Sequence, residues 1–207
     1  MLNFFKTLRV PNFSCTKPRL QQLNIAIIGG GVSGLTTARI FKSQGLNSTL
    51  FEATDSVSGV WSTGYPKFSI QTPGKLYEFP DKELEAPKDF KDGLMIKEYC
   101  EDYVEENDLS SSIKLNVKVT SIESAGNKWM LQLETKDGEK RKKAFDYVVL
   151  ATGTYSPNLK HVPDVKDLKF FQGHVYHSEE TANIQDRLGK KVLVVGEWKN
   201  AYIQKHV

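Results

Sequence analysis

Three glycines, Gly29, Gly31 and Gly34, follow the short apolar run Ile25-Ala26-Ile27-Ile28, and an acid, Glu52, closes a second apolar run. Each residue type in this set answers a physical demand. Gly29 permits a tight turn, Gly31 lets backbone approach a pyrophosphate that a Cβ would strike, and Gly34 allows a helix to pack closely on a strand. Amide N–H groups at the start of that helix, around Ser33, then face the phosphates with the helix dipole behind them. Glu52 is placed to accept hydrogen bonds from ribose hydroxyls. A G-x-G-x-x-G alone is weak evidence. Here it follows a strand signal, opens a helical pattern and precedes the acid by about the expected spacing, so the chemistry indicated is dinucleotide binding.

The elements that must position these residues can be read around them. An apolar run that breaks into glycines predicts a buried parallel strand ending in a turn. Leu35, Ala38, Ile40 and Phe41 then recur at helical spacing, Gly45 is placed to stop the helix, and 46–51 read as a second strand. Residues 53–92 carry Gly59, Gly64, Pro66, Pro73, Gly74, Pro80 and Pro87, which predicts a ligand-facing loop region. Ile96, Tyr99, Cys100, Tyr103 and Val104 share one face of a helix over 94–107, and that face is expected in the core. A strand is expected over 114–122. A second, over 129–135, turns at Lys136-Asp137-Gly138 into a polar, exposed partner over 139–143. Residues 147–151 read as a buried strand closed by Thr152-Gly153, and 190–196 repeat the opening pattern of strand then glycine.

Composition bounds the remaining choices. The chain has 207 residues, of which 39% are hydrophobic and 26% charged, as in globular proteins rather than disordered ones. No apolar stretch approaches the roughly 20 residues that cross a bilayer. The net charge of +3 comes from the first 51 residues, which hold Lys6, Arg9, Lys17, Arg19, Arg39 and Lys42 and no acid; the remainder is slightly acidic. That distribution does not suit nucleic-acid binding. Cys15 and Cys100 lie far apart and suggest neither a disulfide framework nor a metal site, so a reducing, cytoplasmic setting is the plain reading. Residues 1–23 read as an extension, with an organelle transit peptide and a loose N-terminus both left open.

Several separate stretches resemble the flavin-containing monooxygenase family in its broad sense, including Baeyer–Villiger members. The glycine turn with Glu52 resembles the family's FAD site, and Gly59-Val60-Trp61 its GGxW-like segment beside the flavin. Residues 65–73, Tyr-Pro-Lys-Phe-Ser-Ile-Gln-Thr-Pro, look like the stretch lining the isoalloxazine, with Gln71 and Thr72 its contacts. Val119 matches the position whose backbone meets the adenine, and 147–153, ending at Gly153, the ATG strand end. Phe171, Gly173 and His177 fit the FxGxxxH signature between FAD and NADPH domains.

The resemblance implies an α/β fold: a three-layer FAD/NAD(P)-binding Rossmann-like domain with an antiparallel β-meander, truncated at the start of a second dinucleotide-binding domain. It divides the chain into an extension (1–23), an incomplete FAD-binding domain (24–160), a linker with the FxGxxxH motif (161–189) and the start of an NADPH-binding domain (190–207). The implied activity is FAD-dependent, NADPH-using oxygenation of a small organic substrate through a C4a-(hydro)peroxyflavin. Because the cofactor does the hard chemistry, no acid–base triad is expected and none is found, so no catalytic residue and no metal ligand is assigned.

Departures qualify the match. Ser58 replaces the first glycine of the GGxW-like stretch, Gln71 stands where animal members carry Asn, and Thr181 leaves the subgroup open. In 196–201, Gly-Glu-Trp-Lys-Asn-Ala, Trp198 replaces the glycine that phosphate approach needs and Glu197 adds repulsion, so NADPH binding is expected to be impaired. An impaired monooxygenase and a non-catalytic FAD-binding or regulatory remnant therefore both remain. A short-chain dehydrogenase module would share only the first βαβ unit and needs Tyr-x-x-x-Lys. Tyr77, Tyr99, Tyr103 and Tyr147 are followed instead by Asp81, Tyr103, Asn107 and Ala151.

Overall fold

The computed structural model describes residues 22–62, 68–84, 92–154, 165–177, 180 and 191–196. Strand β1 (Asn24–Ile28) leads into helix α1 (Val32–Ser43) and strand β2 (Asn47–Phe51), the expected βαβ unit. Helix α2 (Gly93–Glu106), β3 (Ile113–Lys114), β4 (Val117–Ala125), β5 (Lys128–Thr135), β6 (Lys140–Phe145) and β7 (Tyr147–Leu150) follow. They form a parallel sheet of order β3-β2-β1-β7 and an antiparallel meander of order β4-β5-β6.

β1 shows why the layers stack as they do. A strand aims successive side chains at opposite faces, so its near-continuous apolar text serves two cores. Ile27, with Leu50 of β2, packs against Leu35 and Ala38 of α1 and Ile96, Tyr99, Cys100 and Tyr103 of α2. Ala26 and Ile28, with Phe51, pack against Leu131, Leu133 and Phe145 of the meander. The rings of Phe51 and Phe145 meet edge to face at 5.8 Å. The result is three layers: helices, parallel sheet, meander.

The helices are tied at their ends. The α2 N-terminus is capped by Asp92, whose carboxylate accepts the Leu94 N–H at 2.8 Å, the kind of cap that contributes about 1 kcal/mol. At the other end Lys42 of α1 donates to the carbonyls of Asn107 and Asp108, each at 2.7 Å, placing a cation at the negative end of the α2 dipole. Between them Asp81 accepts the Tyr103 hydroxyl at 2.7 Å and pairs with Arg39 at 3.1 Å, while Phe79 stacks on Tyr103 at 3.7 Å.

Three expectations change. The strand expected over 114–122 is two strands in two sheets, because Asn116 takes φ +57 and breaks the run. β7 is only half buried: Val148 and Val149 reach the two cores, whereas Tyr147 and Leu150 are exposed, since β7 is the outer strand of its sheet among the described residues. Among the described residues, 191–196 pair with no strand, and Val192, Leu193 and Val195 are exposed; an apolar run becomes a strand only beside a neighbour that takes its hydrogen bonds.

Candidate dinucleotide site

The expected residues meet at the C-terminal ends of β1 and β2. Gly29 has φ +111, its N–H donates to the Phe51 carbonyl at 2.8 Å, and an added Cβ would lie 2.3 Å from the Ala151 carbonyl oxygen. It therefore serves the turn, as expected, and also the junction of three strand ends. Gly34 fulfils the close-packing role: a Cβ there would lie 1.9 Å from the Gly29 carbonyl oxygen and touch Leu50. Gly31 differs from both. Its backbone is extended, and among the described residues beyond its chain neighbours a Cβ would meet nothing nearer than the Gly59 Cα at 3.8 Å, so the space these residues leave beside it is open.

That space is where α1 begins. The first intrahelical bond runs from Leu35 N–H to the Gly31 carbonyl at 3.0 Å, which leaves the N–H groups of Val32, Ser33 and Gly34 without an intrahelical acceptor. No side chain caps this end and its first turn has no acid. Val32 and Ser33 are exposed. An uncapped helix start beside open space, with glycine at its mouth, is the arrangement that receives a phosphate.

Glu52 is buried and already engaged. Its Oε2 accepts the Gly30 N–H at 2.6 Å, and its Oε1 accepts the Thr54 N–H at 2.8 Å and the Thr54 hydroxyl at 2.9 Å. A carboxylate offers about four lone-pair sites, so roughly one remains for a ribose hydroxyl. Glu52 thus braces the glycine turn and the start of the loop that follows β2. Thr54 and Gly30 are the partners that sequence reasoning missed, and no motif signals them. Beyond Thr54 lies an open cleft of about 390 Å³ walled by Ala53, Asp55, Asn116 and Lys118.

The Ser58–Ser62 turn folds over the glycines. Ser58 N–H donates to the Gly30 carbonyl at 2.8 Å, and Gly59, at φ +59, brings its backbone against Gly31. Ser58 itself is buried at φ +91, a conformation natural to glycine, which is the physical cost of its departure from the family's residue. Trp61 stacks on Phe68 at 5.7 Å and meets Tyr77 edge-on at 5.3 Å, so its ring is half-committed to protein packing. Burial raises the Tyr77 hydroxyl pKa.

Other expected residues stand apart from this cluster. Gln71 and Thr72 are exposed. Val119 packs against the meander core, although β4 does begin beside the acid, with Val117 N–H donating to the Glu52 carbonyl at 2.9 Å. Gly153 is exposed at φ +73 just past β7. In the linker motif the Phe171 ring lies over Gly173, where a Cβ would come within 2.4 Å of it, and His177 N–H donates to Glu180 at 2.8 Å. The first of these contacts gives the F-x-G spacing a local packing reason. Tyr65, Pro66, Lys67, Thr181, Glu197 and Trp198 lie outside the described residues. Among the described residues no helix is long and apolar enough to cross a membrane, and no group of three His, Cys, Asp or Glu is placed to hold a metal ion.

The chain is similar to known proteins in sequence and in fold. Senecionine N-oxygenase of Tyria jacobaeae is 29% identical, matching 83% of this chain and 41% of its own length. A probable flavin-containing monooxygenase of Arabidopsis thaliana is 32% identical over 88% of this chain and 40% of its own. In structure, cyclohexanone monooxygenase with bound epsilon-caprolactone matches with a TM-score of 0.54 and 28% identity, over 63% of this chain and 27% of that one. A flavin-containing monooxygenase from Stenotrophomonas maltophilia shares the fold, with a TM-score of 0.61 and 24% identity over 73% of this chain and 44% of that one. The chain spans less than half the length of each of these proteins. The flavin-binding monooxygenase-like family matches residues 22–202, nearly everything from β1 onward, and the chain belongs to that family.

Proposed function

We propose that this chain holds FAD at the glycine turn, as part of an NADPH-using monooxygenation of a small organic substrate that is weakened here at the reductive step. The observation that carries the reading is the open, uncapped N-terminus of α1 at Gly31, flanked by Gly59 and braced from beneath by Glu52. The N–H groups of Val32, Ser33 and Gly34 would hold the pyrophosphate, and the free lone pair of Glu52 the ribose. Gly31 and Gly59 keep side chains out of the phosphate path. Trp61, Gln71 and Thr72 are the candidates for the flavin end, and the Val119 backbone for the adenine. When bound, FAD would supply hydride acceptance and oxygen activation, and the protein supplies placement and a dry pocket.

A second reading, a non-catalytic FAD-binding or regulatory chain, is favoured by one specific feature of the sequence: Trp198 and Glu197 stand at the positions that match the family's NADPH motif, where phosphates need glycine and no negative charge. One experiment separates the two. The absorption spectrum of the purified chain is taken with and without FAD, and NADPH is then added without oxygen. A bound flavin spectrum that NADPH bleaches supports the monooxygenase reading. Bound flavin that stays oxidised supports the second, and a chain that binds no flavin refutes both.

A further inference from the structure

Thr54 is held in place by its backbone. Its N–H donates to Glu52 Oε1 at 2.8 Å, and its carbonyl accepts the Asn116 N–H at 2.8 Å. Glu52 is pinned in the same way: its N–H donates to the Lys114 carbonyl at 3.0 Å and its carbonyl accepts the Val117 N–H at 2.9 Å. One proton keeps a choice. The Thr54 hydroxyl oxygen lies 2.9 Å from Glu52 Oε1 and 2.9 Å from the Ser56 carbonyl oxygen. A hydroxyl has a single proton to donate, so it serves one of these acceptors at a time and changes between them by rotation about its C–O bond, with no heavy atom displaced.

The two acceptors are unequal. Glu52 is a buried carboxylate, and a hydrogen bond to a charged acceptor is worth about twice one to a neutral carbonyl. With the site empty the hydroxyl therefore belongs on Glu52, where it and the Thr54 N–H fill both lone pairs of Oε1, while the Gly30 N–H takes one on Oε2. The ribose of an adenine nucleotide brings two adjacent hydroxyls to a carboxylate with one lone pair open. The second is accepted only if the Thr54 proton leaves Oε1, and the Ser56 carbonyl lets it leave without losing a partner. Ser56 lies in the loop that carries Gly59 against Gly31.

We propose that the Thr54 hydroxyl stands in for a ribose hydroxyl on Glu52 while the site is empty, and turns to the Ser56 carbonyl when an adenine nucleotide binds, so that Glu52 accepts both ribose hydroxyls. This rests on the reading of the glycine turn as an FAD site and names how that site recognises the sugar. Thr54 is a positioning residue that acts through Glu52. In the empty chain it keeps a buried carboxylate supplied with donors, and in the loaded chain the ligand supplies the donor instead. Removing the hydroxyl therefore harms the empty chain more than the loaded one, and binding becomes tighter. A merely structural role would weaken binding or leave it unchanged.

The test uses ADP, the part of FAD that meets Glu52 and the phosphate cradle, and 2′,3′-dideoxy-ADP, which lacks both ribose hydroxyls. Each is titrated calorimetrically into the wild type, the nearly isosteric Thr54→Val and Thr54→Ser, with FAD titrated alongside and the ligand-free melting temperature of each chain measured. The expected result is a ligand-free Tm about 2–6 °C lower in Thr54→Val. The same variant binds ADP about three- to tenfold more tightly than the wild type. It shows no such gain for 2′,3′-dideoxy-ADP, and Thr54→Ser, which keeps the hydroxyl, stays within about twofold of the wild type for both nucleotides. Equal or weaker ADP binding by Thr54→Val overturns the proposal, as does a gain shared by both nucleotides or a Thr54→Ser chain that behaves like Thr54→Val. A wild type that binds ADP but not FAD refutes the FAD reading alone, and one that binds neither overturns both.

Discussion

Replacing Gly34 by Ala tests how the glycine turn is built. A Cβ at 34 would lie 1.9 Å from the Gly29 carbonyl oxygen, well inside the 3.0 Å that real Cβ contacts respect, and the obstacle is backbone that cannot rotate away. α1 must lift off β1 by about an ångström, and the fully buried Leu35 and Ala38 go with it. Overpacking of this kind costs about 1–3 kcal/mol, and loosened contacts of the two buried side chains add to it. The better helix propensity of alanine offsets up to about 1 kcal/mol, leaving a loss of about 2 kcal/mol. For a chain of this length about 2–4 °C accompany each kcal/mol, so Tm should fall by about 4–8 °C in a calorimetric or circular-dichroism melt. Gly31→Ala is the control. Its new methyl meets only the Gly59 Cα at 3.8 Å on an extended backbone, and a change from glycine to alanine at a helix start costs at most about 1 kcal/mol. A Gly34→Ala chain melting within about 2 °C of wild type, or a Gly31→Ala chain losing as much as Gly34→Ala, would refute the assignment of roles.

Ser58→Gly should raise Tm by a few degrees: relieving φ +91 is worth about 1–2 kcal/mol, less about 0.5–1 kcal/mol for glycine's freer unfolded chain, and an unchanged or lower Tm contradicts the strain argument. The fully buried Cys100, its thiol pKa pushed up to about 12 by burial, should resist thiol reagents at pH 8 until denaturant opens the chain; labelling of Cys100 at the rate of an exposed thiol would count against the α2 packing. Burial first, and the neighbouring Asp81 next, raise the Tyr103 hydroxyl pKa above its ordinary value of 10.0, and burial raises Tyr99 as well. Both hold their protons more tightly folded than unfolded, so the stability they contribute is full below pH 10 and is lost as pH rises through the folded values. Chemical denaturation between pH 9 and 11 should show this fall, shallower in Tyr103→Phe, and equal slopes for the two chains would contradict it.

Much of the site was legible because each part carries a local signal. Gly29, Gly31 and Gly34 announce themselves by spacing after an apolar strand, and the α2 face of Ile96, Tyr99, Cys100, Tyr103 and Val104 by helical period; all five of those side chains are buried. What stayed hidden depends on tertiary neighbours. The break at Asn116 is a single residue in a left-handed conformation, which asparagine tolerates but does not require. The bracing of Glu52 by Gly30 and Thr54 comes from how the turn meets the 53–58 loop, which no spacing encodes. The run at 192–195 shows the limit from the other side. Its text is that of a buried strand as surely as β1's, but a strand is a property of two chains of hydrogen-bonding groups, and sequence describes only one.

The proposed function rests on Gly31 marking an open phosphate cradle at the start of α1. It is tested most directly by titrating FAD into the wild-type chain and into Gly31→Ala, following flavin fluorescence with the melting temperature of each chain measured alongside. The expected result is saturable, one-to-one binding to the wild type and at least about tenfold weaker binding to Gly31→Ala, a difference of about 1.4 kcal/mol, while the two chains melt within a few degrees of each other. A wild type that does not saturate, or equal affinity in the two chains, would contradict it.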